Sequence, residues 1–304
     1  MRKLLWGFVA VGMFACGSGE KPTDNSIDDF LTEGEEETTE GDDPGIPQEV
    51  INEFMNALPS PLETSVALKE SGIPYSSDFL NDPQKVSHYN SAFSRAMNLG
   101  VYGTDLGYTN IYEQNQDAIF YLNAIRDLAD ELSIGQFFEF TTIKRLATQS
   151  TNLDSLLLVT TQNFNKINEH LQSKKRSNLS VMLLAGGWIE AMQISCKVSQ
   201  ANPENKTLRD KVAEQKVVCE NINFLLSIYV DSNPYVKDLH EDMQRLFAAF
   251  EQIEVITKYG EQEVQIIDGV PTIVDSTTQE TNATQEDIDK ISSIVYEIRN
   301  RIVD

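Results

Sequence analysis

"NLSVMLLAGGWIEAMQISCK", residues 178–197, is apolar nearly all round, and Glu190 is the only charge between Arg176 and Lys197. A helix without a polar face belongs at the centre of a protein, with partners on every side. The rival, a membrane span, needs about 20 apolar residues. Here a run of about 16 is interrupted by Gly186, Gly187 and Glu190, which points to burial in protein. Each glycine inside a helix costs about 1 kcal/mol relative to alanine, so close approach of a neighbour or a ligand must offset the pair.

Working outward, apolar residues recur at alternating steps of three and four. They do so in Leu157, Phe164, Ile167, Leu171, then in Leu208, Val212, Cys219, Ile222, Leu226, Tyr229. The spacing returns in Val236, Leu239, Met243, Leu246, Phe250, Ile253, and again in Ile288, Ile291, Val295, Ile298, Ile302. Each run is one stripe on a helix, and the stripes must meet. The expected fold is therefore all-α, an antiparallel multi-helix bundle. Asn202-Pro203, Asn233-Pro234 and the pair Thr284 with Asp287 predict helix starts near 203, 234 and 285. Further helices are expected over 48–57, 61–71, 84–98, 104–132, 136–149, 152–174 and 178–200. One stretch breaks the pattern: "VQIIDGVPTIV", 264–274, places Asp268-Gly269 between two β-branched runs and predicts a small β-hairpin or structured loop. Beyond it "DSTTQETNAT" reads as a polar connection, in which Asp275-Ser276-Thr277 resembles the O-glycan acceptor site of Bacteroidota.

The stretch "NLGVYGTDLGYTNIY", 98–112, is the natural partner of the central helix. Gly100, Gly103 and Gly107 form one smooth helical face flanked by Tyr102, Tyr108 and Tyr112. Two arrangements follow. The glycines make a tight crossing against Gly186 and Gly187, or they open a ligand pocket walled by Tyr102, Tyr108, Tyr112 and Trp188, with Asp105 and Glu190 as its polar groups. A buried Glu190 needs a cation or several donors, and Arg95 or Arg126 are the candidates.

The start of the chain carries a separate signal. Arg2 and Lys3 precede an apolar run from Leu4 to Ala15, too short to span a bilayer, which matches a secretory signal peptide over residues 1–15. Ala15 before Cys16 and Gly17 after it resemble the lipobox of bacterial lipoproteins, with Met13 and Phe14 in place of the usual leucine and small residue. That resemblance implies cleavage before Cys16, lipidation of its thiol and acylation of the new amino terminus; several chains together hold a protein firmly on a membrane.

Residues 20–45 hold eleven acids against one lysine, so 16–47 is expected to be a lipidated, disordered acidic tether and 48–304 the helical domain. A coil of this length keeps its cargo about 30 Å from the lipid surface. Acidic residues soon after a lipidated cysteine also resemble the export signal of Bacteroidota surface lipoproteins. The outer membrane is expected, in either leaflet. The glycine and aromatic pattern with "AGGWIE" resembles uncharacterised helical lipoproteins of Bacteroidota over residues 55–230, a likeness that implies no activity.

A net charge of −23 over 304 residues argues against nucleic acid or an anionic surface as partner and favours basic partners or neutral ligands. Cys196 and Cys219 invite a disulfide in an oxidising compartment. On helices joined near Asn202-Pro203, however, their axial mismatch is about 15 Å, against the 7 Å or so that a bridge allows, so two buried thiols are expected. His88, His170 and His240 show no metal-ligand spacing, and no nucleophile elbow, Walker loop or haem site occurs. Neither a metal nor another cofactor is expected. The leading expectation is a lipid-anchored envelope protein whose helical domain binds a small molecule, peptide or protein partner without catalysis. A structural or assembly component of the envelope comes second, and an enzyme of unknown type third.

Overall fold

Local capping sets where four of the described helices begin. In the computed structural model, which describes residues 45–47, 50, 68, 71–147, 153–231, 233–258, 262–267, 270–275 and 278–304, helix α1 (Ala92–Ile111) opens on a reciprocal Ser91–Ser94 capping box. It runs straight through Gly100, Gly103 and Gly107, where a boundary near residues 99–103 was expected. The break comes later, at Glu113, whose φ of 59° is left-handed and turns the chain into α2 (Asn115–Glu131). Short 3₁₀ turns at Pro83–His88 and Gly135–Phe137 stand where the sequence predicts the starts of longer helices.

Next come α3 (Phe140–Ala147), α4 (Leu153–Ser173) and the central α5 (Ser177–Ala201). The expected start at residue 203 is corrected. Asn202 closes α5 by donating its backbone N–H to the Ser199 carbonyl, and Asn205 caps α6 (Lys206–Ala213) by accepting from Leu208 N at 3.3 Å. A second break at Glu214–Gln215 precedes α7 (Lys216–Ser227). The other two starts hold: α8 (Pro234–Phe250) has Asn233 as cap and proline in its first turn, and α9 (Gln285–Val303) opens on a Thr284–Asp287 capping box.

Between α8 and α9 lie β1 (Val255–Lys258), β2 (Gln262–Ile267), β3 (Val270–Asp275) and β4 (Thr278–Thr281). β2 pairs antiparallel with β3, Val264 opposite Ile273, as the sequence predicts. β1 pairs with β4, Val255 opposite Thr281, so part of the expected polar connection is a strand. The base of this excursion is tied to α6: Thr281 Oγ1 donates to Asp210 at 2.7 Å, and Lys206 Nζ donates to the Thr281 carbonyl.

The nine described α-helices form an all-α bundle around α5, which packs against α1 most extensively and also against α4, α6, α7 and α9. α5 is long and apolar enough to cross a membrane, but 78% of its most apolar window is buried in the fold. The last carbonyls of α9 would be orphans of the helix; Asn98 Nδ2 donates to the Ile302 carbonyl at 2.9 Å, and Tyr89 and Lys85 donate to that of Val303.

The leader expected over 1–15, Cys16 and most of the expected acidic tether lie outside the described residues. At the tether's end Ile46 is buried in the core, so the stretch 16–47 is not solvated throughout. Of the helices expected over 48–57 and 61–71, Val50 and Leu68 are described and both are helical.

Candidate functional site

The α1–α5 contact is made by bare backbone. A Cβ on Gly100 would fall on the Leu183 carbonyl oxygen and within 2.6 Å of Gly187 N, and one on Gly186 would meet the Met97 carbonyl. Thr104 clips the crossing by donating to the Gly187 carbonyl at 2.9 Å. Gly103 and Gly107 take no part, since a Cβ on either meets nothing within 4 Å. The smooth face therefore narrows to Gly100 against Gly186 and Gly187.

One turn along each helix from this crossing, the chain buries a charged cluster. Asp105 of α1 and Glu190 of α5 are both fully buried. Arg299 of α9 holds Glu190 with two parallel bonds, Nε to Oε2 at 2.9 Å and Nη2 to Oε1 at 3.0 Å. The fork geometry matches a carboxylate, which makes such pairs strong and orienting. The cation is thus Arg299, and not Arg95 or Arg126: Arg95 pairs with Glu131, and Arg126 lies over the Phe140 ring. Burial opposes the charge on Arg299, but its bonds and attraction to Glu190 more than offset this and raise its pKa.

Asp105 has the opposite problem. Burial first, and the Glu190 charge second, push its carboxyl well above the usual range, against the Asn81 N–H and Arg299, which favour the anion. Its Oδ2 accepts from Asn81 N at 3.2 Å. Asn81 is the hub of this corner, since its side chain donates to Tyr89 Oη and Asn98 Oδ1 while its carbonyl accepts from Tyr121 Oη. One arginine against two buried carboxyls leaves one negative charge too many for a dry interior, and a proton retained on Asp105 removes it.

The remaining candidates are bonded within the fold. Tyr102, fully buried, donates to the Asp82 carbonyl at 2.9 Å, and Tyr112 donates to that of Ile73 at 3.0 Å. Tyr108 accepts from Ser76 N, its ring centroid 4.8 Å from that of Tyr112, and burial pushes its hydroxyl up to about 12. Trp188 points to another side of α5, donating Nε1–H to Gln215 Oε1 at 3.1 Å. The structure thus gathers Tyr102, Asp105 and Glu190 in one region, sets Tyr108 and Tyr112 in an aromatic cluster with Tyr75, and separates Trp188 from both.

Sequence reasoning missed Arg299, Asn81 and Gln215. A signal existed for the first: Arg299 follows Val295 by four and precedes Ile302 by three, so it lies on the edge of the α9 stripe, where a cation wants a buried partner. Cys196 and Cys219 are free and buried, and burial pushes the Cys196 thiol up to about 12, which makes it a poor nucleophile. Among the described residues no group of histidine, cysteine and acidic side chains is placed to hold a metal ion.

Two surface grooves are lined by none of Asp105, Glu190 and Arg299. The larger, about 410 Å³, runs between α2 and the turn at Asp82–Val86. Residues 117, 120, 121, 124 and 127 of α2, spaced as one helical face, line it. Phe120 stands 51% exposed there, and Asp82, Asp117 and Asp127 lie in the same lining, which among the described residues contains no cationic side chain. Fold and site together define a helical bundle organised around a buried ion pair. No protein-family model, curated protein or solved structure matches this chain.

Proposed function

We propose that this is a lipid-anchored protein of the cell envelope, held through Cys16, whose helical domain docks a basic segment of a partner protein without catalysing a reaction. The α2 groove carries the proposal. An exposed phenylalanine beside three carboxylates suits the methylene stem and charged head of a lysine or arginine, with the cation drawn to both the acids and the ring. The large negative charge of the chain steers such a partner toward it. The buried cluster at Asp105, Glu190 and Arg299 is then a structural lock, and a ligand role for Tyr102, Asp105, Tyr108, Tyr112, Trp188 and Glu190 is not needed.

The test is fluorescence anisotropy of the full chain with a peptide alternating arginine and phenylalanine, and with a counterpart carrying glutamate for arginine. The basic peptide is expected to bind, to weaken as salt rises, and to lose about tenfold in affinity in a Phe120→Ser, Asp127→Lys variant. Equal binding of the acidic counterpart, or indifference to the double substitution, rejects the docking site. The anchor is tested apart from it: Cys16→Ala should move the protein out of the membrane fraction after a salt wash.

A second reading, an assembly component of the envelope, is favoured by Val217, Phe224 and Ile228. These large apolar side chains are exposed along one face of α7 and its C-terminal cap residue.

A further inference from the structure

Between α5 and α9 lies a second groove, of about 240 Å³, whose lining differs in kind from that of the α2 groove. Gln193 lines it, only 2% exposed, yet its carboxamide has no hydrogen-bond partner among the described residues. A carboxamide carries two N–H donors and an acceptor, and those of Gln193 are reached by solvent from the groove, where a ligand can take the place of water. At Gln193 they face the groove, and whatever fills it can satisfy them.

The neighbours narrow the chemistry. The one cation in the lining, Lys197, already donates to the Asp78 carbonyl at 3.2 Å and sits over the Phe79 ring. The one carboxylate, Asp289, accepts from both Gln200 and Gln285. With one charge of each sign, both already engaged, the groove has little net attraction for an ion, and a single carboxylate is a poor cradle for a metal. Ser293 adds a hydroxyl, while that of Ser292 is bonded to the Cys196 thiol. The only large apolar surface in the lining is the ring of Tyr296, itself 53% exposed.

Amides, hydroxyls and one open aromatic face match a ligand whose groups both donate and accept and whose skeleton offers a flat C–H surface. We propose that the α5–α9 groove binds the ring of a neutral sugar, with Tyr296 stacking on its C–H face and Gln193 pairing with a hydroxyl. The volume admits a single ring, such as the end of a glycan chain or a free monosaccharide. This site is independent of the docking proposed at α2.

The test is ligand-detected saturation-transfer NMR on the full chain in a polyoxyethylene detergent, which has no sugar headgroup. D-glucose, D-galactose and N-acetyl-D-glucosamine are the probes, and acetate is the anionic control. At least one sugar should receive saturation, strongest at its ring C–H protons. Tyr296→Ala, at an exposed position that leaves the core intact, should weaken binding about tenfold, and Gln193→Leu should do so to a similar degree. Asp127→Lys in the α2 groove should leave the signal unchanged, which separates this site from the docking groove. Saturation of no sugar, saturation of acetate alone, or a sugar signal retained in Tyr296→Ala or in Gln193→Leu would overturn the proposal.

Discussion

The two sides of α5 hold their neighbours in opposite ways. Toward α1 the contact exists because side chains are missing: Gly100 and Gly186 let two backbones touch, and Thr104 adds one hydrogen bond. Toward α9 the contact depends on charge, with Glu190 and Arg299 removed from water and locked by two bonds. The first is a steric fit that fails gradually as atoms are added. The second has already incurred the desolvation of both ions, so losing one partner strands the other. A single helix can thus be anchored by shape on one flank and by electrostatics on another, with different sensitivities to substitution and to pH.

Breaking the charged side should have the largest effect. Arg299→Ala leaves Glu190 buried without its cation beside Asp105 and is expected to cost about 3–5 kcal/mol in urea unfolding. Replacing both partners, Glu190→Met with Arg299→Met, should recover most of that loss, because neither charge remains to be stranded. If the single and double variants are equally unstable, the pair acts through packing and not through charge.

Breaking the steric side comes next. Gly186→Ala drives a Cβ into the Met97 carbonyl and should cost about 1–3 kcal/mol despite the better helix propensity of alanine. A variant as stable as the parent would mean that the helices part at no expense.

The charged side should also respond to pH. The carboxyl of Asp105 titrates above its unfolded value of 3.8, so the folded chain holds a proton that the unfolded chain has lost. The stability this contributes is complete below 3.8 and declines as pH rises toward the raised folded value. Asp287 and Asp304, lowered by their bonds to Thr284 and Lys85, act in the opposite sense, and their contribution is lost as pH falls below 3.8. Urea midpoints across a pH series should therefore show a downward slope above 3.8 that Asp105→Asn flattens. An unchanged slope would place the proton elsewhere.

The smallest effect sharpens the steric half of the comparison. Gly103 lies on the same helix as Gly100 but faces open space, so Gly103→Ala should stabilise by about 1 kcal/mol in thermal melts. Similar losses at positions 103 and 186 would show that glycine matters here for backbone freedom and not for close approach.

Much of this was legible along the chain. Periodicity and capping are decided by residues within a few positions of one another, so the helical class, the central place of 178–197, the starts at residues 234 and 285 and the β2–β3 pairing followed from local pattern. The glycine crossing was half legible: small residues announced that something comes close, but which of Gly100, Gly103 and Gly107 meets Gly186 depends on the rotation of one helix against another.

Long-range choices were decided only by packing. Arg299 lies 109 residues from Glu190, and it was selected over Arg95 and Arg126 because the fold brings α9 beside α5. Likewise the α1–α2 break fell at Glu113 and not at the glycines, since the contact with α5 keeps the glycine stretch helical. Hydrogen bonds within a helix span a few residues and leave their mark in the sequence. An ion pair between helices is fixed by distance in space, which the order of residues does not encode until the bundle has closed.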